Sequence, residues 1–512
     1  MPRHARRRAH LGAGAQVAPI VDTLPCFRMQ VPADPNEGSA LTGGLRGSHS
    51  AYGRRWHLLA FGTAALGSTL ITFGLLHSFH SSDSLIPVLV SLQQWTFFYW
   101  DQDRFGMLVP LLAIPVRNPF YNLLVQGWLS TGAALLVPFL AGRWLLGAAG
   151  RWVTAGALTN ILFVALVPLE TQFDWLVTQP YAISMCLGFG ALTLGTASRA
   201  RTATAIFLMV LAHWVNFGVF VLLLPCLFAA PRQALRGLGL IALGAAAGLL
   251  SASLLGSSNS GGAILAPVAH WPTNWWTLLR NTRGLFWHRG WLAAAIIGMG
   301  WLIILARYQR LRRWQAAPGA VAIAVALFYW MVLGTTDWVR LNSYSVRYIY
   351  PSLLMLTVGF SILMTSNDGG DRLFGALPAV VGVLTLILVV HQPRDMNELK
   401  RTLNQRFGEM TTDILSTGAT VVAGNYWTVW PAVFHANMAR YRLTGRSDVF
   451  GLTSRSRYTE HSWRGQTVLM AVPSGDDEGI HYAEQLRLRL RSREDRRTLS
   501  LFVVEPRSSS KR

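Results

Sequence analysis

Of 512 residues, 52% are hydrophobic and only 13% charged, and the mean hydropathy is +0.33; this balance excludes an ordinary water-soluble globular domain and makes lipid the expected solvent. The formal net charge of +21 is almost all arginine, since Lys400 and Lys511 are the only lysines. In so apolar a chain arginine is read first as a determinant of membrane orientation, and nucleic-acid binding is a poor inference. The three cysteines, Cys26, Cys186 and Cys226, make no even, regularly spaced framework, which argues against a disulfide scaffold.

Residues 1–55 are expected to be a disordered, basic cytoplasmic tail: Arg3, Arg6, Arg7 and Arg8 precede a run of Gly, Ala, Pro and Ser without apolar periodicity. No apolar core with a small-residue cleavage site occurs within the first thirty positions, so no cleavable signal peptide is expected. The first span is predicted at 56–79, behind Arg54 and Arg55. Further spans are predicted at 119–140, 152–169, 180–196, 238–255, 291–306, 321–333, 351–364 and 374–390. The stretch 203–228 is read as two short helices meeting near 212–216, because only a broken pair keeps Arg199, Arg201, Arg232, Arg236 and the basic loop 307–313 all on the cytoplasmic side.

The expected fold is therefore a polytopic α-helical membrane protein of about 11 transmembrane or re-entrant helices over 56–392, followed by a small soluble α/β domain over 393–512. Because the number of crossings is odd, that domain is expected on the external, periplasmic face of a bacterial inner membrane. Helices are predicted at 397–418, 429–444 and 480–493, and strands at 419–424, 448–452, 467–472 and 500–504. No internal repeat is evident.

The loop after the first span is the most informative for chemistry. It carries His77, His80 and Asp83, then Pro87 and a short apolar helix, then Trp95-Thr-Phe-Phe-Tyr-Trp-Asp101-Gln-Asp103-Arg104. A carboxylate at a span end lies at a low-dielectric boundary and is suited to general-base work. The alternative for Asp83 is a structural one: capping a helix that begins at Leu85. Asp101 and Asp103 are candidates for holding sugar or acceptor hydroxyls, or else form a structural ion-pair cluster with Arg104, and the aromatic run suits an interfacial belt, a lipid groove or a sugar-stacking surface. Late in the chain, Arg347-Tyr348-Ile-Tyr-Pro351 stands at a span entrance, where a planar guanidinium suits a lipid phosphate, or else anchors the span by snorkelling. Glu170 and Asp174 in the next external loop are candidates for holding sugar or acceptor hydroxyls, against an ordinary solvated loop. His270 and His288 lack further ligands at metal spacing.

The acidic residue directly after the first span, the Arg-Tyr-x-x-Pro element and the soluble C-terminal unit together resemble the GT-C superfamily of polyprenyl-phosphate-dependent glycosyltransferases. Protein mannosyltransferases and aminoarabinose transferases are members. The resemblance covers most of 56–512, through short motifs. It implies that Asp83 acts as the base on an acceptor hydroxyl and that Arg347, Tyr348 and Arg104 hold the donor phosphate. Asp83 is followed by Ser84 rather than a second acid, which departs from the paired acids of many members and leaves no indication of a divalent metal or other cofactor. The implied partners are a polyprenyl-phosphate sugar, a glycan, lipid or protein acceptor, and membrane lipid. The competing expectation is a lipid-linked sugar flippase or polytopic transporter without transferase chemistry, whose charged residues should line a path through the bilayer.

Overall fold

The computed structural model describes residues 45–100, 105–147, 150–194, 198–256, 265–287, 313–365, 373–406, 408–453, 462–463, 466–486 and 488–505. By contacts, Ala51–Arg512 forms one compact unit and Met1–Ser50 another, of which the helical residues 45–50 are described.

The helical part runs α1 (Leu45–Ser78), α2 (Ser82–Leu92), α3 (Leu108–Ala113), α4 (Pro119–Leu146), α5 (Arg151–Leu166), α6 (Leu169–Phe173), α7 (Tyr181–Leu194), α8 (Arg199–Val215), α9 (Val219–Cys226), α10 (Ala234–Leu255), α11 (Trp271–Trp287), α12 (Arg313–Gly334), α13 (Asp337–Leu341), α14 (Tyr350–Thr365) and α15 (Leu373–His391). Among the described residues, six helical stretches are long and apolar enough to cross a membrane, as a multi-pass membrane protein requires: Arg55–Ser78, Pro119–Leu146, Ala234–Leu255, Ala317–Gly334, Val346–Thr365 and Ala376–Gln405. At 16 and 14 residues, α5 and α7 are apolar but shorter than the roughly 20 residues that a bilayer core takes. The predicted span 291–306 lies outside the described residues. Helix α1 begins at Leu45, so the predicted tail gives way to helix ahead of the expected position.

Large apolar side chains stand exposed on the outside of the bundle, Leu235 at 84% and Leu254 at 70% on α10 alone, which suits a lipid solvent and not water. The opposite face of α10 carries Gly244 and Gly248, one turn apart. A Cβ on Gly244 would meet His213 Nδ1 at 2.6 Å, and one on Gly248 would meet His213 Cβ at 3.1 Å, so these two small residues let α8 and α10 approach closely. Between α1 and α4 the hydroxyls of Thr72 and Thr131 hydrogen-bond at 2.9 Å, the kind of polar contact that helps hold helices where lipid supplies no hydrophobic drive between them.

The expected helix break is found between Val215 and Val219. Its backbone is satisfied by protein: Gly218 N–H donates to Asn216 Oδ1 at 3.0 Å, and Gly106 N–H donates to the Trp214 carbonyl at 3.1 Å.

The C-terminal part comprises α16 (Met396–Gln405), α17 (Gly408–Thr417), β1 (Val421–Ala423), α18 (Tyr426–Thr444), β2 (Phe450–Leu452), β3 (Val468–Pro473), α19 (Glu478–Gln485), β4 (Arg489–Asp495) and β5 (Leu499–Glu505). The sheet order is β2-β1-β3-β5-β4, with the first three strands parallel and the last two antiparallel to their neighbours. One expectation is corrected: the predicted helix over 480–493 stops at Gln485, and β4 follows. In Arg487-Leu488-Arg489-Leu490-Arg491 leucine and arginine alternate with a period of two, which suits an edge strand, and Leu488 and Leu490 pack on the sheet core. The helix predicted over 397–418 is likewise two helices, the first capped by Asp395, whose side chain accepts from Glu398 N–H at 2.8 Å.

Helix α2 is the seam between the two parts. Ile86, Leu89 and Val90 share one buried cluster with Val429, Trp430 and Val433 of α18. Trp100 lies 5.3 Å from Trp430, and Gln93 Nε2 donates to the Val449 carbonyl at 2.6 Å.

Candidate functional site

Asp83 sits in the first turn of α2, where the helix dipole favours a carboxylate. The capping alternative is corrected: the helix begins at Ser82, the extended residue before it is Ser81 (φ −146°, ψ 163°), and Asp83 is already inside the helix. Ser81 N–H donates to Ser84 Oγ at 3.1 Å, so the start of the helix is bonded without Asp83. Its carboxylate is spent on long-range partners. Oδ2 accepts from Arg347 Nη1 at 3.2 Å, and Oδ1 accepts from the Tyr426 hydroxyl at 2.6 Å. Pro87, one turn on, has no N–H to give the Asp83 carbonyl, so this turn of α2 is short of one helical hydrogen bond beside the site.

Arg347 enters from a short 3-10 turn, Val346–Ile349, at the head of α14. Its guanidinium lies 5.0 Å from the ring centroid of Tyr348, and Nη2 donates to Asn342 Oδ1 at 3.2 Å. Nε has no hydrogen-bond partner among the described residues. The preceding turn holds Ser343 and Tyr344 at φ of 54° and 53°, a left-handed pair that costs about 1–3 kcal/mol per residue and needs outside support. Helix α11 supplies it: Asn281 Nδ2 donates to the Tyr344 carbonyl at 3.0 Å, and the Tyr344 hydroxyl donates to Asn274 Oδ1 at 2.9 Å.

Asp83, Arg347, Asn342 and Tyr348 line one cavity of about 110 Å³. Leu108, Val109, Pro110, Leu123, Ile183 and Val215 give it an apolar wall, and Gln126, Ser130 and Gln179 add polar atoms. Gln126 is fixed by donating to the Pro87 carbonyl at 3.1 Å and to Asn122 Oδ1 at 2.7 Å. Gly106 lines the same space, and a Cβ there would lie 2.7 Å from the Trp214 carbonyl, so the broken end of α8 can seat against this loop only at a glycine.

Asp174 opens a π-helical turn, Asp174–Thr178, whose Val177 and Thr178 also line the cavity. Burial pushes its carboxyl up to about 6; Arg347 opposes that rise, while Asp83 and Glu170 add to it. Asp174 thus belongs to the electrostatic neighbourhood of Asp83 and Arg347. Glu170 is exposed. Asp101, Asp103 and Arg104 lie outside the described residues.

Where it is described, the aromatic run packs largely within the protein. Phe98, Tyr99 and Trp100 are buried, Phe97 packs on Trp214 with centroids 4.6 Å apart, and of the five only Tyr99 lines the cavity.

Two residues of the site went unrecognised in the sequence. Asn342 stands five positions before Arg347, but its role as an acceptor follows only from the turn geometry. Tyr426 had no signal at all, being 343 positions from Asp83 in a different structural layer. No group of three or more His, Cys, Asp or Glu side chains able to hold a metal occurs among the described residues. The chain matches no protein-family model and no curated protein.

Proposed function

We propose that this protein is a membrane glycosyltransferase that moves a sugar from a polyprenyl-phosphate donor to an acceptor hydroxyl at the external face of the membrane. One observation carries the reading: a carboxylate at the end of the first span and a guanidinium at the head of a late one, 264 residues apart, meet at 3.2 Å on a cavity whose remaining wall is largely apolar. A lipid phosphate needs both halves of that description, a forked cation and an apolar approach.

In this reading the donor phosphate is held by Arg347, through the nitrogens now on Asp83 and Asn342 and through Nε. Asp83 takes the proton of the acceptor hydroxyl as the acceptor oxygen bonds to the anomeric carbon. The bond from that carbon to the phosphate oxygen breaks, and its electron pair leaves with the polyprenyl phosphate, where Arg347 meets the growing charge. Asp174 and Glu170 would face the polar end of the donor, as would Tyr348 with its ring against Arg347. The odd number of crossings and the outward placement of the α/β unit belong to the same proposal, as does the eleven-helix count.

The transporter reading draws on the break between α8 and α9. That break is seated on Phe97 and Gly106, Gly106 N–H donating to the Trp214 carbonyl and Trp214 Nε1 to the Phe97 carbonyl, as expected of a structural joint, and the ionisable residues gathered at this cavity stand at helix ends.

The test is transfer from short-chain polyprenyl-phosphate sugars in proteoliposomes. Asp83→Asn should cut turnover by roughly 10²- to 10⁴-fold, the worth of a positioned base. Arg347→Lys, which keeps the charge but loses the fork, should weaken both donor binding and turnover. Wild-type turnover in Asp83→Asn would remove the centre of the proposal.

A further inference from the structure

We infer that Tyr426, contributed by the C-terminal α/β unit, is a positioning residue for the Asp83 carboxylate, so that the cavity in the helical bundle is complete only with that unit docked. The catalytic consequence rests on the transferase reading; the positioning itself does not.

The geometry is specific. The Tyr426 hydroxyl has a single proton, which it donates to Asp83 Oδ1 at 2.6 Å. Its 3.0 Å contact with the Tyr99 hydroxyl must therefore be donated by Tyr99, giving the directed chain Tyr99 to Tyr426 to Asp83. Burial, with the Tyr99 and Asp83 oxygens beside it, holds the Tyr426 phenol well above its usual range, so it remains a donor at any ordinary pH. The backbone is pinned as well, since Ser82 Oγ donates to the Tyr426 carbonyl at 2.8 Å. At the other end, Asn425 caps α18 by accepting from Trp427 N–H at 2.9 Å, which fixes the direction in which Tyr426 leaves the helix.

The two oxygens of Asp83 thereby receive different roles. Oδ2 faces Arg347, and a phosphate that takes up Arg347 releases it. Oδ1 stays on Tyr426 throughout. The carboxylate keeps one orientation while Oδ2 becomes the atom that accepts the acceptor's proton. Without Tyr426 the same carboxylate would be free to rotate or to remain on Arg347.

The experiment uses the full-length protein in nanodiscs and compares wild type with Tyr426→Phe in two assays. A water-soluble carbodiimide reports how firmly the Asp83 carboxyl is held by its hydrogen bonds; peptide mass spectrometry should show about a tenfold rise in Asp83 labelling in the variant. Transfer from a short-chain polyprenyl-phosphate sugar should show kcat falling roughly 10- to 100-fold, the worth of one hydrogen bond to a charged group, with donor KM within about threefold. Tyr99→Phe leaves the Tyr426–Asp83 bond in place but removes the proton that orients it, and should show the same pattern at a few-fold size, which keeps the test available if Tyr426→Phe folds poorly. Unchanged Asp83 labelling in a folded variant overturns the inference, as does unchanged kcat in a chain whose wild type transfers sugar. A wild type that transfers nothing sinks the transferase reading alone, because labelling needs no donor.

Discussion

Arg347 donates to Asp83 Oδ2 at 3.2 Å, and both side chains are only partly exposed, at 24% and 19%. The carboxylate thus stands where an incoming anion would have to bind, and any phosphate must displace it from Arg347 or share that cation with it.

Asp83→Asn should therefore raise affinity for the sugar-free carrier even as it lowers turnover. Removing a competing negative charge next to the cation is worth about 1–3 kcal/mol, so the Kd for farnesyl phosphate should fall by roughly 5- to 150-fold. Fluorescence or calorimetric titration in nanodiscs measures this directly. Weaker binding in Asp83→Asn would mean that Asp83 holds the phosphate site open instead of competing for it.

Asp174 offers a pH test. Its carboxyl is pushed up to about 6 from an ordinary 3.8, chiefly by burial. Between these values the unfolded chain has released a proton that the folded chain retains, so ionisation works against the fold as pH rises through the window and the full cost is present above about 6. Asp174→Asn should accordingly stabilise the protein at pH 7.5, by roughly 1–3 kcal/mol, and make almost no difference near pH 3, below both values. Thermal unfolding at the two pH values is the measurement, and equal Tm shifts at both would show that burial of the charge is not the controlling cost.

The junction between the first loop and the α/β unit should weaken in acid. His80 and His435 lie with ring centroids 5.5 Å apart and Arg406 beside them; burial first, then the neighbouring Arg406, lowers His80 to about 4, while burial, His80 and Arg406 lower His435 to about 3. The unfolded chain takes up protons below about 6.5 that these folded histidines refuse, so stability is lost as pH falls from there toward 4. Limited proteolysis of α16–α18 should accelerate between pH 7 and pH 5, and His435→Gln should flatten that dependence. A pH-independent digestion rate in the wild type would contradict it.

Orientation is tested by thiol labelling at the two ends of the bundle. Helix α7 runs 14 residues from the cavity-lining Gln179–Pro180 end toward the exposed Ser198, ahead of Arg199 and Arg201. Ser343→Cys, beside the cavity, should react with an impermeant reagent from outside, and Ser198→Cys only after permeabilisation, because basic loops stay in the cytoplasm. The reverse pattern would turn the proposed topology over.

Local chemistry alone determined the long apolar helices among the described residues, the break near Asn216 and most of the C-terminal strands. Each depends on a signal written within a few turns of chain: a long apolar run, a pair of basic flanks, or a period of two or 3.6. The error over 480–493 passed over a signal of that same local kind, the period-two alternation of Leu488 and Leu490 with arginines, which pairs β4 with β5. Asp83 and Arg347 could be suspected separately, because an acid and a forked cation at span ends are visible in sequence. Their meeting at 3.2 Å was decided by tertiary structure, as was the convergence of Asp174 with them. So was the arrival of Tyr426, which depends on α18 docking against α2 through Val429, Trp430 and Val433. Buried apolar packing is non-directional and acts across any sequence separation, so no pattern around Tyr426 could announce which carboxylate its hydroxyl would find.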